Sequence, residues 1–230
     1  DAGALHRLEL PGSLHSIVLS RIDSMHDGPR RTVKIASVVG RVFEAPVLPG
    51  PYPELGTLEQ VLDHLDELRQ ADLVTLDRAL EHAYLFKHVA TQEVAYESLP
   101  FALRSRLHGL IGSYYERSDP DGIDRRLDLL AHHFWLSDDE GRKRRYLGRA
   151  ADAARTAYAN ATAIDYLDRL VPLLAGPERV EALLKLAKVL QVVGELGRAE
   201  AVAVEARERA TQIGDRLQAA WADASIAETA

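Results

Sequence analysis

Histidine supplies the most suggestive chemistry in this chain. His88 stands between an apolar run, Ala83-Tyr84-Leu85-Phe86, and a helical run from Val89 to Leu99. Where a strand ends and a helix begins, unpaired backbone N–H groups carry partial positive charge and suit an anion. An imidazole there can donate one more hydrogen bond to a phosphate. The plainer alternative is that His88 only caps the helix or fills a domain contact, and both readings stay open. His132 and His133 are neighbours on a predicted helix. They point about 100° apart and cannot chelate one metal together, so no metal ligand is expected. Asp119-Pro120-Asp121-Gly122 is faintly like a calcium loop. It lacks a third acidic ligand and a terminal Glu, and reads as a turn. Glu93, Glu97 and Glu116 are acids with no base paired to them.

The basic run Arg142-Lys143-Arg144-Arg145, with Arg149, follows Asp138, Asp139 and Glu140. Spacings of three to four residues on one helix let these charges pair, leaving a solvated face or a contact site for another domain. The acids also complement the dipole of the helix they open. Phosphate-gripping loops need clustered glycines and Gly-Lys-Ser/Thr, and none occurs. Gly-x-Ser-x-Gly, Ser-x-x-Lys and His-Glu-x-x-His are also absent. No catalytic residue, no enzyme activity and no cofactor of its own are expected of this chain.

The chain has 230 residues, 47% hydrophobic and 27% charged, with 15 Gly and 10 Pro. That composition excludes a disordered tail, a collagen or a coiled-coil rod. Folding at this length buries roughly 70–75% of the unfolded surface, enough for one large core or two small ones. A formal charge of −7 gives no bulk attraction to nucleic acid or anionic lipid. Cys is absent, which excludes disulfides and thiolate chemistry and favours a cytoplasmic setting. No apolar run reaches the roughly 18 residues of a membrane span, so no membrane partner is expected. The first residues, Asp1-Ala2-Gly3, lack Met and a signal pattern, and we expect a piece of a longer protein.

Two halves differ in texture. Residues 1–119 mix helix and strand signals; residues 120–230 are rich in Ala and Leu and read as helix after helix, with turn residues Ser118 to Gly122 between them. Ser13 is expected to cap a first helix carrying Leu14, Ile17, Val18, Ile22 and Met25, which Asp27-Gly28-Pro29 stops. A second helix runs from about Arg30 to Val39 and ends at Gly40. Residues 45–56 hold four prolines and read as an ordered surface loop. Thr57 caps a helix with Leu58, Val61, Leu62, Leu65 and Leu68 on one face. Leu73–Leu76 and Ala83–Phe86 form a hairpin around a polar turn, and helices follow at about 88–98 and 101–117. Three helices and then a hairpin is the order of a winged helix. Its third helix carries Glu59, Asp63, Asp66 and Glu67 against Arg69 and would repel DNA phosphate, so no direct nucleic-acid contact is expected.

The second half repeats. Leu183, Leu186, Ala187, Leu190, Gly194, Ala199, Ala203 and Ala206 recur 36 residues earlier as Leu147, Ala150, Ala151, Ala154, Tyr158, Ala163, Leu167 and Leu170. Small residues at Ala151, Ala163, Ala187 and Ala199 let antiparallel helices approach closely. The pattern resembles the tetratricopeptide repeat, although Tyr158 stands at the usual turn Gly and Thr211 at the usual closing Pro. Residues 124–137 read as an earlier, degenerate helix, and a further helix begins near Asp215 with Trp221. The alternative is an irregular α-bundle. The expected fold is thus mainly α: a winged-helix-like domain with a small β-hairpin and a helical extension (1–119), then an antiparallel helical repeat array (120–230).

Three stretches carry a family resemblance: Leu10-Pro11-Gly12-Ser13-Leu14 with Arg21-Ile22-Asp23, Ala36 to Phe43, and Tyr84 to Leu99. With Leu130-Ala131-His132-His133-Phe134, they resemble the STAND signalling ATPases of bacteria, often fused to adenylate/guanylate cyclase or LuxR-type output domains. The resemblance implies a regulatory and interaction module lying after the ATPase core. Its partners would be the nucleotide-binding domain of the same parent chain and, on the repeats, a protein, peptide or small-molecule inducer. ADP or ATP is implied for the parent. His88 resembles the His of the family's Met-His-Asp motif, which contacts the β-phosphate of ADP; Lys87-His88-Val89 keeps the His but lacks the Asp. The Pro-rich 45–56 also departs from the family, where a helix is common. The alternative function is a DNA-binding winged-helix transcriptional regulator.

Overall fold

The computed structural model describes residues 12–77 and 82–229, with side chains from His15 onward. Leu10, Pro11, the side chains of Ser13 and Leu14, and residues 78–81 of the polar turn lie outside the described residues. The described chain is mainly helical, with one small antiparallel sheet, and divides into two compact units. The first holds the described residues up to Asp121 together with Leu136–Asp138; the second holds Gly122–Trp135 and Asp139 onward.

The first unit opens with α1 (Gly12–Asp23) and α2 (Asp27–Val39). Ser13 falls within α1, and the cap expected of its side chain lies outside the described residues. Asp27-Gly28-Pro29 does not stop a helix; it opens α2, with His26 at the N-cap. A proline in the first turn loses nothing, because its missing N–H would have had no intrahelical partner there. Val18 and Ile22 enter the core, whereas Ile17 is exposed. Gly40, with φ 146°, ends α2 as expected, its N–H bonding the Ala36 carbonyl.

The sheet is larger than the expected hairpin. A short strand β1 (Val42–Glu44) pairs with β3 (Ala83–Phe86), which also pairs with β2 (Val74–Leu76), giving the order β1-β3-β2. The register sets Phe43 opposite Tyr84 and Val74 opposite Phe86. Phe43 packs on both aromatic rings, 6.0 Å from Tyr84 and 5.7 Å from Phe86. Three residues are too few to show an alternation in sequence, so β1 becomes visible only through its partner.

Residues 45–56 are not a surface loop. Two 3-10 turns, Ala45–Val47 and Pro53–Leu55, fold the segment inward. Ala45, Val47, Leu48 and Leu55 join the core. Fixed proline φ angles shape compact turns that bury apolar side chains without a helix or strand. Thr57 caps α3 (Leu58–Gln70) through a full capping box with Gln60. Val61, Leu65 and Leu68 are fully buried. α4 (Val89–Glu97) and α5 (Phe101–Ser118) complete the unit, with Val94, Ala95, Leu107 and Ile111 in the same core.

The second unit runs through α6 (Leu127–Trp135), α7 (Glu140–Thr156), α8 (Asn160–Leu170), α9 (Gly176–Val192), α10 (Leu196–Gln212) and α11 (Arg216–Ala227). Each residue of the 36-residue recurrence other than the turn positions is buried. Ala163, Ala187 and Ala199 have no exposed surface and Ala151 is 1% exposed, so backbones meet there. The turns repeat as well. Tyr158, Gly194 and Gly214 all take positive φ, at 58°, 80° and 75°. Across each turn the same bond closes the helix: Ala159 N–H to Ala154, Glu195 N–H to Leu190 and Asp215 N–H to Ala210, each 2.9 Å. Phe134 stacks on Tyr146 at 5.1 Å and 10°, tying α6 to α7.

Candidate functional site

His88 is the N-cap residue of α4, in an extended conformation, and its side chain makes no capping bond. Its carbonyl accepts the Thr91 N–H at 3.0 Å. β3 delivers the chain to this point, and Lys87 N–H bonds the Leu73 carbonyl at 3.1 Å, so strand pairing holds the helix start in place. His88 itself is exposed. Beside it, Lys87 Nζ pairs with Asp72, and the Arg21 guanidinium donates to the Ala71 carbonyl. The Lys87 bond holds the Asp72 carboxyl below its ordinary range, with further pull from the Arg21 and His88 charges. Asp72 takes φ 61° in the turn that leads from α3 to β2. The tertiary fold thus gathers three basic side chains and one carboxylate around the start of α4. His88 was legible in the sequence. Arg21 and Asp72 were not, because their approach depends on where α1 and the turn after α3 settle.

Other sequence candidates have plainer surroundings. His133 is fully buried while His132 is exposed; their rings lie 5.4 Å apart and cross at 76°. Among the described residues no three His, Asp or Glu side chains group as a metal site. Asp119-Pro120-Asp121-Gly122 leads into the 3-10 stretch Pro120–Arg126, with Gly122 buried. Glu93 is half-buried and Glu97 exposed on α4. On α3, Glu59, Asp63, Asp66 and Glu67 are all exposed, and Arg69 pairs with Asp66 at 3.2 Å. No helix among the described residues is long and apolar enough to cross a membrane.

Much of the basic run on α7 is paired. Arg142 meets Asp139 at 2.7 Å, Lys143 meets Glu140 at 2.6 Å and Arg149 meets Asp124 at 2.6 Å. Asp139 caps α7 by accepting the Arg142 N–H, and that bond, with the Arg142 side chain, holds its carboxyl below the ordinary range. Arg144 and Arg145 border a cleft of about 330 Å³ between α7 and α9, with Asp152, Glu178, Glu181 and Lys185. A second cleft of about 730 Å³ continues over α9 to α11, lined by Arg155, Lys188, Leu217, Trp221, Ala224 and Glu228.

Side-chain bridges join the three helices of this face. Lys185 of α9 reaches Asp152 of α7 at 3.1 Å, Lys188 reaches Glu228 at 2.9 Å, and Gln191 donates to the Ser225 carbonyl at 2.8 Å. Burial opposes the charge of Lys185, but its bonds to Glu181 and Asp152 outweigh that and raise its pKa. Leu217 and Trp221 stay 69% and 65% exposed. A step of 36 from Glu181 and Lys185 leads to them, so this face was open to sequence reasoning through the repeat. Compared with known proteins, the chain matches no family model, no curated protein and no solved structure.

Proposed function

We propose that the chain is a non-catalytic regulatory and interaction module of a multidomain, cytoplasmic signalling ATPase of the STAND class. In this reading the first unit is a winged helix that docks on the nucleotide-binding domain of the same parent chain. The second is a tetratricopeptide-like array whose face of parallel helices receives a protein, peptide or small-molecule signal. Nucleotide, as ADP or ATP, belongs to the parent's ATPase domain. His88 would touch its phosphate from the start of α4, where backbone N–H groups favour an anion.

The observation that supports the reading is the recurrence of one turn geometry and one set of buried small residues at a 36-residue step. The exposed His88 beside Arg21 and Lys87 supports the phosphate contact. The acidic, exposed face of α3 favours a protein-docking winged helix over a DNA reader.

The test is made in the full-length parent. Wild type should retain ADP through purification, and His88→Ala should lose it and raise basal output, with the melting temperature unchanged. A His88→Ala parent that holds ADP as tightly as wild type would remove the phosphate contact from this reading.

A further inference from the structure

The cleft bordered by Arg144 and Glu178 has a gap in its lining that the repeat itself exposes. A 36-residue step carries Arg145, Gly148 and Asp152 of α7 onto Glu181, Leu184 and Lys188 of α9, and the two sets border equivalent clefts. Where α9 has Leu184, α7 has Gly148. A glycine inside a helix costs about 1 kcal/mol against alanine. Packing does not require one here. Beyond its own helix, the nearest atom to a Cβ on Gly148 would be Leu170 Cδ2, at an ordinary 3.7 Å. The missing side chain leaves room over the leucines of α8.

Charge is arranged unequally along the same cleft. Asp152 of α7 pairs with Lys185 of α9 at 3.1 Å, which closes one end and fixes the alignment of the two helices. Lys185 also holds Glu181 at 3.0 Å. Eight residues earlier, about 12 Å along parallel helices, the same alignment sets Arg144 level with the first turn of α9, where Glu178 stands. Both side chains are exposed and border the cleft. Neither makes an ion pair among the described residues, with the other or elsewhere. Arg145, by contrast, lies over the Tyr146 ring at 5.4 Å. The open end thus presents one uncommitted cation and one uncommitted carboxylate, over a floor of Leu167, Leu170 and Leu174.

The lining as a whole is balanced: Arg144, Arg145 and Lys185 against Asp152, Glu178 and Glu181. Such a site gives no net attraction to a dianion or a dication. It suits a neutral molecule with separated charges. A volume of about 330 Å³ lies at the small end of the roughly 300–1,000 Å³ of small-molecule sites.

We infer that this cleft binds a free α-amino acid with an aliphatic side chain. The ligand carboxylate takes the Arg144 guanidinium, which suits it in bidentate geometry. The ligand ammonium takes Glu178, and the aliphatic side chain lies beside Gly148 on Leu170. The inference rests on the reading of the second unit as the part that receives a signal, and names that signal's chemical class.

The experiment titrates the full chain calorimetrically with each common amino acid. Aliphatic ones should bind, and acidic and basic ones should not. Arg144→Ala should weaken leucine about tenfold, as loss of a charge-assisted hydrogen bond does. Leucinamide, which lacks the carboxylate, should bind Arg144→Ala and wild type equally. Glu178→Gln should likewise weaken leucine but not N-acetyl-leucine, which lacks the ammonium. Gly148→Leu should abolish binding by filling the cleft, and Gly148→Ala should melt no lower than wild type.

Leucine that binds Arg144→Ala or Glu178→Gln as tightly as wild type overturns the inference. So does a Gly148→Leu chain that still binds it, or a Gly148→Ala chain that melts lower. If no amino acid binds, this inference falls while a protein or peptide signal on the array stands. ADP retention by the His88→Ala parent tests the rest of that reading separately.

Discussion

Tyr158 and Gly194, 36 residues apart, hold the same left-handed turn, at φ 58° and 80°, and each N–H bonds a carbonyl three residues back at 3.1 Å. One of them carries a large side chain that is 84% exposed; the other would meet nothing within 4 Å if it gained a Cβ. The repeat therefore imposes the conformation on whichever residue stands there.

The cost at that turn lies in the backbone alone. Gly194→Ala should destabilise by about 1 kcal/mol, the penalty of a left-handed conformation for a residue with a Cβ. Tyr158→Asn should be neutral or stabilise by up to about 1 kcal/mol, since Asn tolerates that conformation. Urea unfolding of the two variants checks both signs, and a Gly194→Ala chain as stable as wild type would remove the argument.

Close helix contact at the small residues makes a second prediction. Ala187→Leu or Ala199→Leu should cost roughly 1–3 kcal/mol by overpacking a site with no free surface. Glu200, next to Ala199 and exposed, should accept Leu within about 0.5 kcal/mol. Equal melting temperatures for Ala199→Leu and Glu200→Leu would mean that the interface lies elsewhere.

The Pro-rich segment is tested at Gly50. A Cβ there would lie 2.2 Å from the Tyr114 ring of α5. Gly50→Ala should therefore destabilise by about 1–3 kcal/mol, and Gly50→Ala with Tyr114→Leu should recover part of the loss. An unchanged melting temperature for the single variant would return the segment to the surface.

Asp139 supplies a pH dependence. Its folded carboxyl titrates below the ordinary range because it accepts the Arg142 N–H and pairs with the Arg142 side chain. A lowered folded pKa means that stabilisation is complete above the unfolded value and fades as pH falls through the folded one. Asp139→Ala should cost about 1 kcal/mol at neutral pH as a lost N-cap. The gap to wild type should close below the ordinary carboxylate range. A gap of constant size down to the acid transition would rule out the charged cap.

The sequence alone determined the helical character, the Thr57 cap, the stop at Gly40, the β2–β3 hairpin and the 36-residue recurrence, because each rests on periodicity or turn chemistry within a few residues. His88 was legible for the same reason, as the junction of two local patterns. Tertiary structure decided the rest. β1 exists only because β3 lies beside it. The segment 45–56 became core because α2 and α3 were there to receive its two turns and the side chains of Val47, Leu48 and Leu55, which no local pattern announces. Asp27-Gly28-Pro29 could end one helix or begin the next, and packing of α2 chose the second. Arg21, Asp72 and His88 are distant in sequence. Their shared neighbourhood follows from the placement of α1 and the turn after α3, which long-range packing alone sets.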